Sequence, residues 1–143
     1  MSLNTEHLQS CITTLRSAIE KLKASVPDTI DYDIFRNAGI KGFELTLETA
    51  GKLLRKTLKL YTPNPRAIDA LTYKDLLREA GKHGILSSDE IARWFVYRDN
   101  NVPDYDQNFA EETLTLIPGF LDDAESLQKI LHDKLSAQSC ASK

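Results

Sequence analysis

The sequence predicts an all-α protein: an antiparallel up-and-down helical bundle of four main helices plus a short one. Three observations predict it. Apolar residues recur at three- and four-residue steps through every long segment. No stretch alternates polar and apolar residues for long enough to read as a strand, and no internal repeat interrupts the pattern. The helical segments are separated by short breaks, as antiparallel neighbours in a bundle require.

Leu8, Cys11, Ile12, Leu15, Ile19 and Leu22 share one stripe of a first amphipathic helix. Asn4 or Thr5 caps it. It stops near Ala24, because Val26-Pro27-Asp28 follows and the residue before a proline avoids the helical region. A second helix begins near Asp31 or Asp33 and runs to about Tyr61. Phe35, Ala38, Phe43, Leu47, Ala50, Leu54 and Leu58 form its main stripe, and Ile34, Ile40, Leu45, Leu53 and Leu60 widen it. So broad a stripe predicts a central helix contacted on more than one side. Gly39, Gly42 and Gly51 weaken it by up to about 1 kcal/mol each against alanine. They are read as sites of close helix packing or of a kink. Thr62-Pro63-Asn64-Pro65 ends the helix.

The short third helix covers Thr72 to Lys82, with Thr72 as its cap and Leu76, Leu77 and Ala80 inward. Gly84 suits the left-handed position after its end. Ser87 and Glu90, three residues apart, make a capping box for a fourth helix that carries Ile91, Trp94, Phe95 and Tyr97 and reaches Arg98. After a polar break, the last helix runs from Phe109 to about Leu135, with Leu114, Ile117, Leu121, Leu127, Ile130, Leu131 and Leu135 on its apolar face. Pro118-Gly119 is expected to kink it. The domain is read as residues 1–136, followed by a flexible polar tail over 137–143.

Composition narrows the function. The chain has 143 residues, 41% of them hydrophobic and 27% charged, with a formal net charge of −3. That suits one globular domain and argues against broad nonspecific nucleic-acid binding, which wants a basic surface. The densest basic run, Lys52, Arg55, Lys56 and Lys59, reads as a solvated helix face before it reads as an anion patch. Cys11 and Cys140 make neither a metal spacing nor a disulfide framework, which fits a reducing cytoplasm. The N-terminus has no signal-peptide pattern, and no apolar run approaches the roughly 20 residues of a membrane helix. No cofactor is implied.

Most chemistry-bearing residues read as ordinary surface. There is no Gly-rich phosphate loop and no serine-nucleophile elbow. His7, His83 and His132 lie outside any metal-ligand spacing and read as surface histidines. Glu111-Glu112 and Asp122-Asp123 are adjacent pairs on helices, where neighbours face different ways, and both pairs read as solvated.

The exception is Arg98-Asp99-Asn100-Asn101-Val102-Pro103-Asp104-Tyr105, a cation, two amides and a phenol in the break between two helices. Two readings of these residues stay open. In one, Arg98 binds a phosphate, Asn100 and Asn101 add hydrogen bonds, and Tyr105 stacks or offers its hydroxyl. In the other, Arg98 pairs with Asp104 or Asp106 and Tyr105 packs at the helix junction.

The same segment resembles the motif of the HEPN proteins, an arginine, four residues, a histidine, one residue and a tyrosine. Arg98 and Tyr105 match its ends, and Asp99 falls where the family often has Asn or Asp. Pro103 stands in the histidine's place. Ile40-Lys41-Gly42-Phe43-Glu44-Leu45-Thr46-Leu47-Glu48-Thr49-Ala50 is similar to the family's second helix, without the tryptophan often found near Gly51. The stretch from Tyr73 through Ala80 to Leu86 resembles its third helix and following turn, and Phe120-Leu121 with Leu127 and Leu131 its final helix. Together these cover about residues 5–135 and look most like the nucleotidyltransferase substrate-binding subgroup.

The resemblance implies a dimeric bundle with the motifs of both subunits at a shared cleft, and a minimal nucleotidyltransferase as partner. It also implies metal-independent RNA cleavage in active members, and makes Tyr105 a candidate acceptor for adenylylation by the partner. Histidine exchanges a proton near neutral pH, and arginine offers fixed positive charge to a phosphate. Proline does neither. General acid–base steps contribute roughly 10²–10⁴-fold, so a strong nuclease is not expected here. Asp104 is a poor substitute base at its ordinary pKa. The expected function is therefore a substrate- or nucleotide-binding subunit with Arg98, Asp99, Asn100, Asn101, Asp104 and Tyr105 as its binding residues. The alternative is a weakened ribonuclease toxin of a toxin–antitoxin pair, and a plain scaffold for another helical protein is a third reading. Trp94, Phe95 and Tyr97 are candidates for the dimer face.

Overall fold

Leu8, Ile12, Leu15, Ile19 and Leu22 are buried along one side of α1 (Glu6–Ala24) in the computed structural model. The structure describes residues 4–99 and 107–141, with side chains described over 4–99 and 111–137. Five further helices follow among these residues: α2 (Ile30–Lys59), α3 (Pro65–Asp69), α4 (Tyr73–Lys82), α5 (Ser88–Asp99) and α6 (Gln107–Ala141). The bundle is all-helical, as expected. The short α3 was not foreseen. Its signal was present, because Pro65 takes the first helical turn, where its missing N–H is no loss. The backbone of α6 continues past the expected end at Leu135. It also passes through Pro118 without leaving the helix, at the loss of one backbone bond.

The local start and stop signals act as the sequence indicates. Thr29 Oγ1 accepts from Tyr32 N at 3.2 Å, and Thr72 Oγ1 from Asp75 N at 3.2 Å. Thr5 stands at the cap of α1 without a side-chain capping bond, while Asn4 Oδ1 accepts from Glu6 N. Gly84 adopts φ +71°, and the N–H groups of Ile85 and Gly84 return to the carbonyls of Ala80 and Gly81. That pair of bonds is the Schellman end of α4, and only a left-handed residue closes it cheaply.

α2 is the centre of the bundle. It packs along α1 and also meets α6, α3 and α4. A Cβ on Gly39 would lie 3.1 Å from Ile19 Cδ1, and one on Gly42 would lie 3.1 Å from Leu15 Cδ1. The two glycines therefore serve close packing of α1 on α2, and the helix is unbroken there. The broad stripe is only partly used within the chain. Phe43, Leu47, Leu53, Leu54 and Leu58 are buried, but Ala38, Ile34, Leu45 and Leu60 are exposed. Thr46 and Thr57, fully buried on α2, donate to the carbonyls of Gly42 and Leu53 one turn back. That local bond satisfies a hydroxyl that has no water to reach.

Phe43, Trp94, Tyr97 and Phe120 form an aromatic knot where α2, α5 and α6 converge. The Phe43–Phe120 centroids lie 4.6 Å apart and the Tyr97–Phe120 centroids 5.1 Å, both edge-on. Polar ties close the outside. Arg16 on α1 pairs with Glu125 on α6, and Gln128 donates to the buried Thr5 hydroxyl.

Candidate functional site

Ser87 and Glu90 exchange the two bonds of the capping box, Ser87 N to Glu90 Oε1 at 3.0 Å and Glu90 N to Ser87 Oγ at 3.2 Å. This start sets the rotation of α5. Trp94 and Tyr97 turn inward and Arg98, one turn after Trp94, emerges at the exposed flank. Trp94 is 2% exposed and Tyr97 4%. The expectation that these two rings supply a dimer face is therefore overturned: they fill this chain's own core against Phe120. Phe95 remains exposed, with Val96 beside it.

Arg98 does not stand alone. Its Cζ lies 5.4 Å from the centre of the Tyr73 ring. Tyr73 is the first residue of α4, set by the Thr72 cap, and its hydroxyl donates to the Trp94 carbonyl at 3.5 Å. Burial pushes the Tyr73 phenol up to about 12, with the Arg98 charge pulling the other way. The phenol is thus neutral at physiological pH, and its face takes the guanidinium as a cation–π partner. Among the described residues no carboxylate pairs with Arg98. Asp99 closes α5 and is exposed. Asn100, Asn101, Pro103, Asp104 and Tyr105 lie outside the described residues, as does Asp106.

A second polar cluster was missed by sequence reasoning. Arg93 Nε and Nη2 donate to the two carboxylate oxygens of Asp123 at 2.8 and 3.0 Å, and the Tyr97 hydroxyl donates to Oδ2 at 2.5 Å. Asp123 is 7% exposed, so its expected place in solvent is corrected, while Asp122 is exposed. Both partners lie on α5, four residues apart and so on one face, and both reach the same Asp123 carboxylate on α6. Adjacent acids on a helix point to different faces, and that rule was available. It could not say which of the two was buried. Burial raises the Tyr97 phenol well above its ordinary value, and the bond to Asp123 adds to the rise. Arg93 is held charged chiefly by its bond to Asp123. Beside this fork, Ala92, Val96, Leu116 and Gly119 line a shallow recess between α5 and α6.

The basic run on α2 is largely committed to structure. Lys52 pairs with Glu48 at 2.9 Å, Lys59 with Asp69 at 2.6 Å, and Arg55 Nη1 donates to the carbonyls of Ile68 and Leu71, clasping α3. The hydrogen bond from Lys52 holds the Glu48 carboxyl below its usual range. Lys56 stays exposed at a groove shared with His7 and Leu45. His132 is exposed; His83 is half-buried, stacked on Tyr61 and 3.5 Å from Glu79. Among the described residues no group of three or more His, Cys, Asp or Glu side chains could hold a metal ion, and no helix is long and apolar enough to cross a membrane.

Comparison with known proteins follows the same lines. A solved structure from Haemophilus influenzae, described as a substrate-binding domain of a nucleotidyltransferase, superposes with a TM-score of 0.79 at 25% identity, over 90% of this chain and 98% of that one. A curated relative, the probable ribonuclease HepT of Haemophilus influenzae, is 29% identical over 109 residues, covering 74% of this chain and 73% of that protein. Residues 3–133 match the family described as nucleotidyltransferase substrate binding protein like. The HEPN-type resemblance of the sequence therefore holds over nearly the whole chain, and the protein belongs to the nucleotidyltransferase substrate-binding-protein-like family.

Proposed function

We propose that this chain is the substrate-binding subunit of a two-component nucleotidyltransferase system, and that it holds a nucleotide or another phosphate-bearing substrate without cutting RNA itself. The observation that carries the reading is Arg98: an exposed guanidinium, oriented by a neutral ring and not neutralised by any described carboxylate. A cation so presented is suited to a phosphate, where a charge-assisted bond is worth roughly twice a neutral one. Asp99, Asn100, Asn101, Asp104 and Tyr105 are the neighbours in sequence that would complete the site, with Tyr105 a candidate acceptor for a transferred nucleotidyl group. Pro103 bears on chemistry, because a residue with neither base nor acid in the motif's histidine position leaves no proton carrier for metal-independent cleavage.

The relative named as a probable ribonuclease favours a second reading, a weakened ribonuclease of a toxin–antitoxin pair. One experiment separates the two. The protein is incubated with RNA in EDTA, and ATP binding is titrated in parallel, for the unaltered chain and Arg98→Ala. Binding lost with Arg98 and no cleavage supports the binding subunit; cleavage that needs Arg98 overturns it. Two subunits sharing the site is part of the same proposal, with exposed Phe95 and Val96 available for the contact. A monomer in sedimentation at micromolar concentration counts against that part.

A further inference from the structure

We propose that Tyr73 is a positioning residue, a platform that holds the Arg98 guanidinium ready for an anionic ligand. This rests on the reading of Arg98 given above and adds to the site a residue from a different helix, 25 positions earlier in the chain.

The geometry is that of a wedge. The Tyr73 ring enters between α2 and α5. On the α2 side it passes Gly51, where a Cβ would lie 3.9 Å from Tyr73 Cε2. On the α5 side its hydroxyl is tied to the Trp94 carbonyl at 3.5 Å, and Trp94 is locked in the aromatic knot. Arg98 lies one helical turn beyond Trp94, with Cζ at 5.4 Å from the ring centre. The ring is thus held by its neighbours, and the guanidinium is held by the ring.

The chemistry explains why a ring is the right support. A carboxylate in this place would orient Arg98 equally well but cancel its charge. A neutral aromatic face orients the cation through its quadrupole and leaves the full positive charge for a ligand. An arginine side chain ordinarily loses considerable rotamer freedom when it binds; one already lying on a ring has less to lose. The chain also places this cation in the last turn of α5, where the helix dipole favours positive charge.

The test uses the full-length protein and metal-free ATP, titrated calorimetrically. Arg98→Ala should weaken binding at least tenfold. Tyr73→Leu should weaken it about three- to tenfold, the range expected for loss of one cation–π contact. Tyr73→Phe, which keeps the face, should bind within about twofold of the unaltered protein. In the Arg98→Ala background, Tyr73→Leu should change nothing further. If Tyr73→Leu binds like the unaltered protein while Arg98→Ala does not, Tyr73 has no such role and the binding-subunit reading still stands. Equal weakening by Tyr73→Leu with and without Arg98 means that the ring only supports the fold, and this too overturns the proposal. Normal ATP binding by Arg98→Ala overturns both readings at once. An independent measurement needs no variant: the Nε–H of Arg98 should be more ordered in ¹⁵N relaxation than that of exposed Arg66, and equal mobility overturns the platform.

Discussion

The Tyr97 hydroxyl donates to Asp123 Oδ2 at 2.5 Å, across the seam between α5 and α6. With the two bonds from Arg93 to the same carboxylate, it ties together the helices on either side of the candidate site. Tyr97 is the residue before Arg98, so the tie anchors the last turn of α5 to α6 next to the candidate site.

Asp123→Ala leaves the buried Tyr97 hydroxyl without its acceptor and the Arg93 charge without its partner. The buried hydroxyl left unsatisfied sets the expectation for Asp123→Ala at about 1–3 kcal/mol, and Arg93, exposed enough for water to take over its charge, adds little. Tyr97→Phe, which removes only the hydroxyl, should cost about 1 kcal/mol. Urea unfolding of the three proteins measures both, and Asp123→Ala within error of the unaltered chain would show the fork to be slack.

Stability should fall on the alkaline side. The phenols of Tyr97 and Tyr73 are both raised in the folded protein, by burial first. A raised value means that the folded state keeps its proton longer than the unfolded state. The contribution is therefore complete below the ordinary phenol value near 10 and is lost as pH climbs, for Tyr73 through about 12. Urea midpoints at pH 8 and pH 11 should differ, and Tyr97→Phe should shrink the difference. An unchanged difference assigns the alkaline loss to other groups.

The glycines of α2 should respond with opposite signs. Gly42→Ala gains up to about 1 kcal/mol of helix propensity but forces a methyl to 3.1 Å from Leu15, a fully buried side chain, where overpacking costs about 1–3 kcal/mol. The net should be destabilising. Gly51→Ala meets only an ordinary 3.9 Å contact with Tyr73 and should stabilise by up to about 1 kcal/mol. Thermal unfolding of the pair tests the packing argument, and it fails if both substitutions raise the Tm.

Arg98→Ala should leave stability within about 1 kcal/mol, because the residue is exposed at a helix end and its one described partner is the face of a ring. Its effect belongs to binding. Pro103→His should introduce measurable RNA cleavage in EDTA if the missing proton carrier is the only deficiency, with Arg98→Ala abolishing it. A silent Pro103→His variant would assign the deficiency to more than that one side chain.

Helix positions were legible because their signals are local. The Ser87–Glu90 box, the Thr72 cap and the Gly84 stop act within a few residues and appear as written. At Gly39 and Gly42 the sequence left close packing and a kink open, and the unbroken α2 with Ile19 and Leu15 against it decides for packing. Around the candidate site the failures are of one kind. Trp94 and Tyr97 looked like surplus apolar surface, and Asp123 looked solvated, because each was judged on its own helix. What buried them was the packing of α5 against α6 and α2.

Periodicity and caps thus determine that this chain is a helical bundle, and the motif residues make it resemble the substrate-binding family and mark Arg98 as its most informative cation. That information lies along the chain, where spacing alone sets which face a residue occupies. Which carboxylate faces Arg93 and which ring lies under Arg98 are matters of distance between helices far apart in sequence. Only the packed arrangement decides them, because a pairwise contact across 25 or 30 residues depends on how every intervening element is set against the core.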